Sequence, residues 1–304
     1  MLGKQRVECP LGLIERAQSS PPIRTAVVNA VNAVVMESVR DATRARIIEP
    51  VLIGEAAAIR AAGERIGFDT GGCETFPADG EQAAAEAGAR LAGTGAVGAV
   101  MKGHLHTDIF MRALLQRDAG LRIGKPFTHV FHMSVPGREG ALLISDAALN
   151  PAPDVEARKA ITANAVGLAQ ALGLERPRVA LLSATEVANE HIPSSVEAVE
   201  IADWARGALP EADVDGPLAF DLAVSPEAVR VKGVTSPVAG RADIIVVPEI
   251  VSGNALFKMM VQFMGACAGG IVLGAKVPIL LTSRSDPAAA RLASAALASV
   301  ARGL

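Results

Sequence analysis

Short apolar, β-branched runs alternate along the chain with longer segments whose apolar positions recur at helical spacing. RTAVVN (24–29), PVLIG (50–54), GAVMKG (98–103), RVALLS (178–183), DIIVVP (243–248) and VPILLTS (277–283) read as strands. They are apolar at nearly every position, as strands covered on both faces are. Segments 81–92, 154–172, 194–206 and 254–269 have helical length and period. This alternation predicts βαβ units, hence an α/β fold of mostly parallel sheets with helices on both faces. Asp154, Ser194 with Glu197 three residues on, and Ser225 followed by Pro226 are predicted N-caps.

One region breaks the rhythm. FTHVFHM (127–133), the Pro-Gly turn VPGREG and then ALLISDAALN predict a β-hairpin or a crossing between domains, with a boundary near residue 137.

Composition narrows the function. A chain of 304 residues, half of them apolar, fits two α/β domains or one large one. Its 29 basic and 32 acidic residues form no long run of one sign, which argues against a nucleic-acid footprint. With Trp204 alone and no tyrosine, it has little with which to stack bases. A small-molecule protein is expected. Cys9, Cys73 and Cys267 are widely spaced, suggesting neither a disulfide framework nor a zinc ribbon and suiting a reducing cytosol. MLGKQRVECPLGLIERA lacks a stretch of signal-peptide length, and IVLGAKVPILL falls well short of the roughly 20 residues of a membrane span. A cytoplasmic protein with no membrane or nucleic-acid partner follows as the expectation.

Two motifs suggest chemistry that their context weakens. Gly93 to Gly98 match G-x-G-x-x-G, but a helical pattern precedes them and a strand follows, the reverse of a dinucleotide site; a glycine C-cap and loop is expected. His104 and His106 lie on one side of an extended segment and suggest a metal, yet Asp108 is the only near third ligand. The competing reading makes this a loop in which Thr107 or Asp108 caps the next helix. His129 and His132, on opposite faces of FTHVFHM, are expected as satisfied structural histidines.

In open parallel sheets ligands bind at the carboxyl ends of strands, where helix N-termini present free N–H groups. The strand ends here carry Lys102 through Thr107, Ser145-Asp146 with Asn150, Ser183 through Glu186, Pro248 through Asn254, and Ser283-Arg284-Ser285-Asp286. Cations, hydroxyls and glycine-loosened turns together point to an anionic, phosphate-bearing substrate. Candidate binding residues are Lys102, His106, Thr107, Asp146, Asn254 and Lys258, the last two one turn apart on a helix starting near Ser252. The alternative for Lys258 is a solvated side chain. Asp286 precedes Pro287, which fits an N-cap with proline at N1. Arg284, ending a buried strand, calls for an anionic partner.

These strand ends resemble the phosphate acetyltransferase and phosphate butyryltransferase family, closest to its short, butyryltransferase-like branch. The blocks are MKGHLHTDIFMRALL (101–115), LLISDAALN (142–150), DGPLAFDLAVSPEA, VKGVTSPVAGRADIIVVPEIVSGN and GIVLGAKVPILLTSRSD, and the likeness runs from about Ile23 to Leu297. The resemblance implies that acyl-CoA and orthophosphate interconvert with acyl phosphate and free coenzyme A. It implies a homodimer, no metal or bound cofactor, and the two-domain fold of isocitrate and isopropylmalate dehydrogenases with an active-site cleft between the domains. The expected division is residues 1–137 plus 273–304 and residues 138–272. Carried onto this chain, Arg284 holds phosphate and the carbonyl oxygen, Ser283 donates near the leaving thiolate, and Asp286 is the base. His104 departs from a position usually small in the family, and GACAGG (265–270) departs from a pattern with an acid, on what is expected to be a buried helix. Two rivals remain open: a metal-requiring nicotinamide-dependent dehydrogenase, for which Asp146, Asp221 and Asp243 look too scattered, and a non-catalytic protein binding coenzyme A or acyl phosphate.

Overall fold

The computed structural model describes residues 7–281 and 286–304. By its contacts the chain divides into two units, one of residues 7–125 with Gly269–Leu304, the other Pro126–Ala268. Along the chain, the first unit supplies α1 (Leu11–Gln18), β1 (Ile23–Val28), α2 (Ala33–Arg44), β2 (Ile48–Gly54), α3 (Ala56–Glu64), β3 (Glu74–Pro77), α4 (Gly80–Gly93), β4 (Ala99–Lys102) and α5 (Thr107–Leu115). The second follows with β5 (Thr128–Ser134), β6 (Leu142–Ser145), α6 (Val155–Ala171), β7 (Arg178–Leu182), α7 (Pro193–Ala208), β8 (Asp213–Leu218), α8 (Phe220–Val224), α9 (Pro226–Lys232), β9 (Ile244–Val246) and α10 (Ile250–Met264). The chain then returns through β10 (Cys267–Leu273), β11 (Ile279–Leu280) and α11 (Ala288–Val300).

In the first unit β3, β2, β1, β4 and β11 are neighbours in that order and all parallel, with β10 antiparallel to β11. Thr25 through Val28 are all fully buried, which explains a strand without polar alternation. In the second unit the order is β5, β6, β9, β7, β8, parallel except for the β5–β6 hairpin. Its core joins Met133, Leu142, Ile144, Leu182, Ile245 and Met260, against which Phe131 and Phe257 pack with their rings stacked. The turn near residue 137, where a boundary was expected, joins two paired strands of this one unit.

The α/β alternation is as the hydrophobic pattern predicts, and Asp154 and Ser225 cap α6 and α9 through Ala157 N–H and Ala228 N–H. Other expectations need correction. The helix read over 254–269 runs Ile250–Met264, starting before Ser252 because the Glu249 carboxylate accepts from Val251 and Ser252 N–H. It ends where Gly265 turns left-handed at φ 66°, so GACAGG lies in a turn and on β10, not on a buried helix. Small residues there let α11 approach: a Cβ on Gly269 would sit 3.0 Å from Ala293 Cβ, and Gly270 N–H donates to Ser294 Oγ at 2.9 Å. Ser194 is the second residue of α7, not its cap, and its hydroxyl bonds that of Ser183. Two further strands that the pattern missed, β3 and β8, lie at ends of the strand order, where a polar sequence with proline is tolerated.

Candidate active site

The carboxyl edge of the first unit gathers two distant stretches. β11 lies beside β4 in parallel register, Leu280 opposite Met101, so the chain leaves both strands on the same edge. From β4 it continues through Lys102, Gly103 and His104 to α5; from β11 it continues toward α11. Ser283 and Arg284, the expected catalytic pair, lie outside the described residues. Asp286 is half-buried and its backbone carbonyl accepts from Arg291 Nη1. The helix start differs from the expectation: α11 begins at Ala288, and Pro287, extended at ψ 153°, is the N-cap and has no capping side chain. Asp286 is therefore one residue outside the cap position.

After β4 the backbone runs hard against β1. Gly103 N–H donates to Val28 O at 2.9 Å, and a Cβ on Gly103 would meet that oxygen at 2.2 Å, so only glycine fits. His104 is tied on three sides. Its N–H donates to Asn29 O at 2.9 Å, its carbonyl accepts from Asn29 Nδ2 at 2.5 Å, and its Nδ1 lies 2.8 Å from Asn32 Nδ2. Asn32 is the N-cap of α2, and its Oδ1 already accepts from Val35 N–H at 2.9 Å, which leaves its amide nitrogen to donate. His104 Nδ1 is thus an acceptor, and the neutral ring carries its proton on Nε2. Asn29 adopts φ 55°, a left-handed conformation asparagine tolerates.

His106, not Thr107 or Asp108, is the N-cap of α5. Its backbone N–H and its Nδ1 both meet Glu81 Oε2, at 2.9 and 2.8 Å. The backbone N–H of His106, then its ring, hold the Glu81 carboxyl below its ordinary range. The two histidines face different partners, and Asp108 pairs with Arg112 instead. Among the described residues no three His, Cys, Asp or Glu side chains are grouped to hold a metal. Thr107 is exposed at the first position of α5, and Lys102 ends β4.

In the second unit Asp146 and Asn254 meet on the same kind of edge, because β6 and β9 run parallel with Ser145 opposite Val246. Asp146 is 1% exposed. Its Oδ1 accepts from Ala148 and Leu149 N–H at 3.0 and 2.9 Å, and its Oδ2 from His129 N–H at 2.9 Å and Asn150 Nδ2 at 2.6 Å. Asn254 Nδ2 donates to Ala147 O at 3.3 Å, and Lys258, one turn on, is exposed. Asp221 pairs with Lys232 and Asp243 with Arg178, so these aspartates are spent on separate ion pairs. His129 and His132 are buried, as expected, but not satisfied: neither Nδ1 has a partner among the described residues. Burial pushes both rings down to about 4, with the Asp146 charge opposing the shift at His129.

The sequence reading missed Asn29, Asn32, Glu81 and Arg291. An asparagine before the helical pattern of AVVMESVR is a usable signal for Asn32; the others depend on packing.

Parallel α/β units whose polar residues collect beyond the carboxyl ends of their strands have the layout of α/β enzymes, in which that edge is where ligands bind. The chain belongs to the phosphate acetyl/butaryl transferase family, whose description matches residues 79–299, and is therefore an acyltransferase. It is 41% identical over 289 residues to the phosphate acetyltransferase of Rhizobium meliloti, covering 95% of this chain and 92% of that one. It is 36% identical over 292 residues to the phosphate butyryltransferase of Clostridium acetobutylicum, covering 96% and 97%. A solved branched-chain phosphotransacylase from Enterococcus faecalis V583 aligns with TM-score 0.80 and 32% identity, over 92% of this chain and 99% of that one. A putative 4-hydroxythreonine-4-phosphate dehydrogenase from Salmonella typhimurium aligns at TM-score 0.58 and 12% identity over 92% and 99%, a likeness of fold alone. Among the described residues no helix is long and apolar enough to cross a membrane.

Proposed function

We propose that this protein interconverts a short-chain acyl-CoA and orthophosphate with acyl phosphate and free coenzyme A. The observation that carries the reading is the parallel register of β11 on β4, by which the two strands, ending at Leu280 and Lys102, finish at one sheet edge although nearly 180 residues separate them. A phosphate oxygen attacks the thioester carbonyl carbon, forming the C–O bond as the C–S bond breaks, and the thiolate leaves with the electron pair. Arg284 stabilises the charge developing on the carbonyl oxygen and holds phosphate. Ser283 donates to the leaving sulfur. In the reverse direction Asp286 takes the thiol proton, so that thiolate attacks the acyl phosphate.

Lys102, His106 and Thr107 are proposed to bind phosphate near the start of α5, where the helix dipole favours an anion. Asn254 and Lys258 are proposed to contact the coenzyme A portion. Asp146 is retained in the site as the anchor of its loop, a role supported by its four hydrogen bonds. The reading uses no metal or bound cofactor, with coenzyme A and phosphate as substrates, and takes the working form to be a cytoplasmic homodimer. The finer kinship with isocitrate and isopropylmalate dehydrogenases is proposed with it, supported at the level of fold by the dehydrogenase likeness.

The test mixes the protein with phosphate and acetyl-, propionyl- or butyryl-CoA and follows thiol release. Release that depends on phosphate and is nearly abolished in Arg284→Ala is expected. Coenzyme A binding without phosphate-dependent release from any of the three would sink the enzyme reading in favour of a binding protein.

A further inference from the structure

Arg291 is 8% exposed in the first turn of α11, and its guanidinium folds back over the start of its own helix. Nη1 donates to Asp286 O at 2.5 Å, while Nη2 reaches only 3.4 Å from Glu37 Oε2 on α2, a carboxylate that is itself 41% exposed. Nε is buried with no hydrogen-bond partner among the described residues. Apart from the hydrogen bond to Asp286, these features are unfavourable for stability. A cation in a first turn opposes the helix dipole. A buried guanidinium with one distant carboxylate recovers little of its desolvation, and an orphan N–H adds a further penalty.

What the arrangement does achieve is a fixed Asp286. Pro287, the N-cap of α11, has no N–H and no capping side chain. From within the helix the buried guanidinium reaches back past it to the Asp286 carbonyl, with Glu37 on α2 on its other side. We infer that Arg291 is a positioning residue for the acyl transfer, holding Asp286 at its working place through its main-chain carbonyl. The inference rests on the proposed role of Asp286 as the base.

The experiment compares wild type, Arg291→Met, Arg291→Lys and Arg284→Ala in phosphate-dependent thiol release, with thermal unfolding of each. Methionine keeps an unbranched apolar stem and removes the charge and donors. For Arg291→Met a kcat loss of about tenfold or more is expected, with KM for acyl-CoA and phosphate within about twofold and an unfolding midpoint equal to or above wild type. Arg291→Lys, which keeps the charge with one donor point, is expected between the two. Wild-type kcat in Arg291→Met overturns the inference, as does a lowered midpoint with kcat unchanged, the signature of a purely structural side chain. Should Arg291→Met fail to fold, Arg291→Lys decides: a several-fold loss of kcat at unchanged KM supports positioning, and wild-type kcat overturns it. Failure of the underlying reading looks different. No release by wild type rejects the activity, and release by Arg284→Ala rejects the site, whereas an inactive Arg284→Ala beside fully active Arg291 variants rejects positioning alone.

Discussion

Replacing Asp146 separates an anchor from a ligand contact. Its carboxylate accepts two hydrogen bonds on each oxygen: Ala148 and Leu149 N–H on Oδ1, and His129 N–H with Asn150 Nδ2 on Oδ2. Hydrogen bonds to a charged group contribute about 1.5–3 kcal/mol each in isolation, but bonds sharing one carboxylate do not add, and the donors of the outer loop can turn to water. His129 N–H cannot, since it is buried on β5. Asp146→Ala is therefore expected to destabilise the protein by roughly 3–5 kcal/mol, which for a chain of this size lowers the unfolding midpoint by roughly 5–8 °C. Asp146→Asn is not benign. If its oxygen keeps Ala148 and Leu149, its amide hydrogens face the donors of His129 and Asn150, and a loss of about 2–3 kcal/mol is expected. The assay is thermal unfolding followed by circular dichroism, paired with KM for phosphate measured well below the midpoint. Midpoints of both variants within about 2 °C of wild type would refute the anchor. A large rise in the phosphate KM at an unchanged midpoint would show instead that the carboxylate serves the ligand.

Gly103→Ala places a Cβ 2.2 Å from Val28 O and 2.7 Å from Asn29 O, both backbone atoms, so a loss of about 3 kcal/mol or more is expected with a displaced β4–α5 loop; an unchanged urea midpoint contradicts it. The buried rings of His129 and His132 bind protons near pH 4 when folded and near 6.5 when unfolded, so the unfolded chain takes up more protons as the solution is acidified. Stability is then fully present above pH 6.5 and falls as pH drops toward about 4; a flat urea midpoint over that window, or an unaltered slope in His132→Asn, refutes the assignment. Asp154→Ala removes the acceptor for Ala157 N–H at the start of α6 and is expected to lower stability by about 1 kcal/mol without touching turnover.

The strands of the two units were legible because their cores demand it. Thr25 through Val28 are buried on both faces, so their sequence is apolar without alternation, and periodicity alone locates them. Asp154 and Ser225 were legible because capping is chemistry between residues three apart. β10 was not, since CAGGIVL owes its extended form to the left-handed Gly265 before it and to α11 packed on its glycines. Nor were the polar edge strands β3 and β8, where the usual apolar signal is not required.

The chemistry divides along the same line. The residue types, their place after apolar runs and their likeness to one acyltransferase family are properties of the sequence, because each motif is a few consecutive residues. Which motifs share an edge is not. Leu280 lies opposite Met101 through a pairing of strands far apart in the chain, and that pairing alone ends β11 on the side of the sheet where Lys102 ends β4. The tautomer of His104, the enclosure of Asp146 and the grip of Arg291 on Asp286 were likewise decided only in the folded chain. Hydrogen-bond partners and helix packing follow from strand order and register, and no local periodicity encodes these.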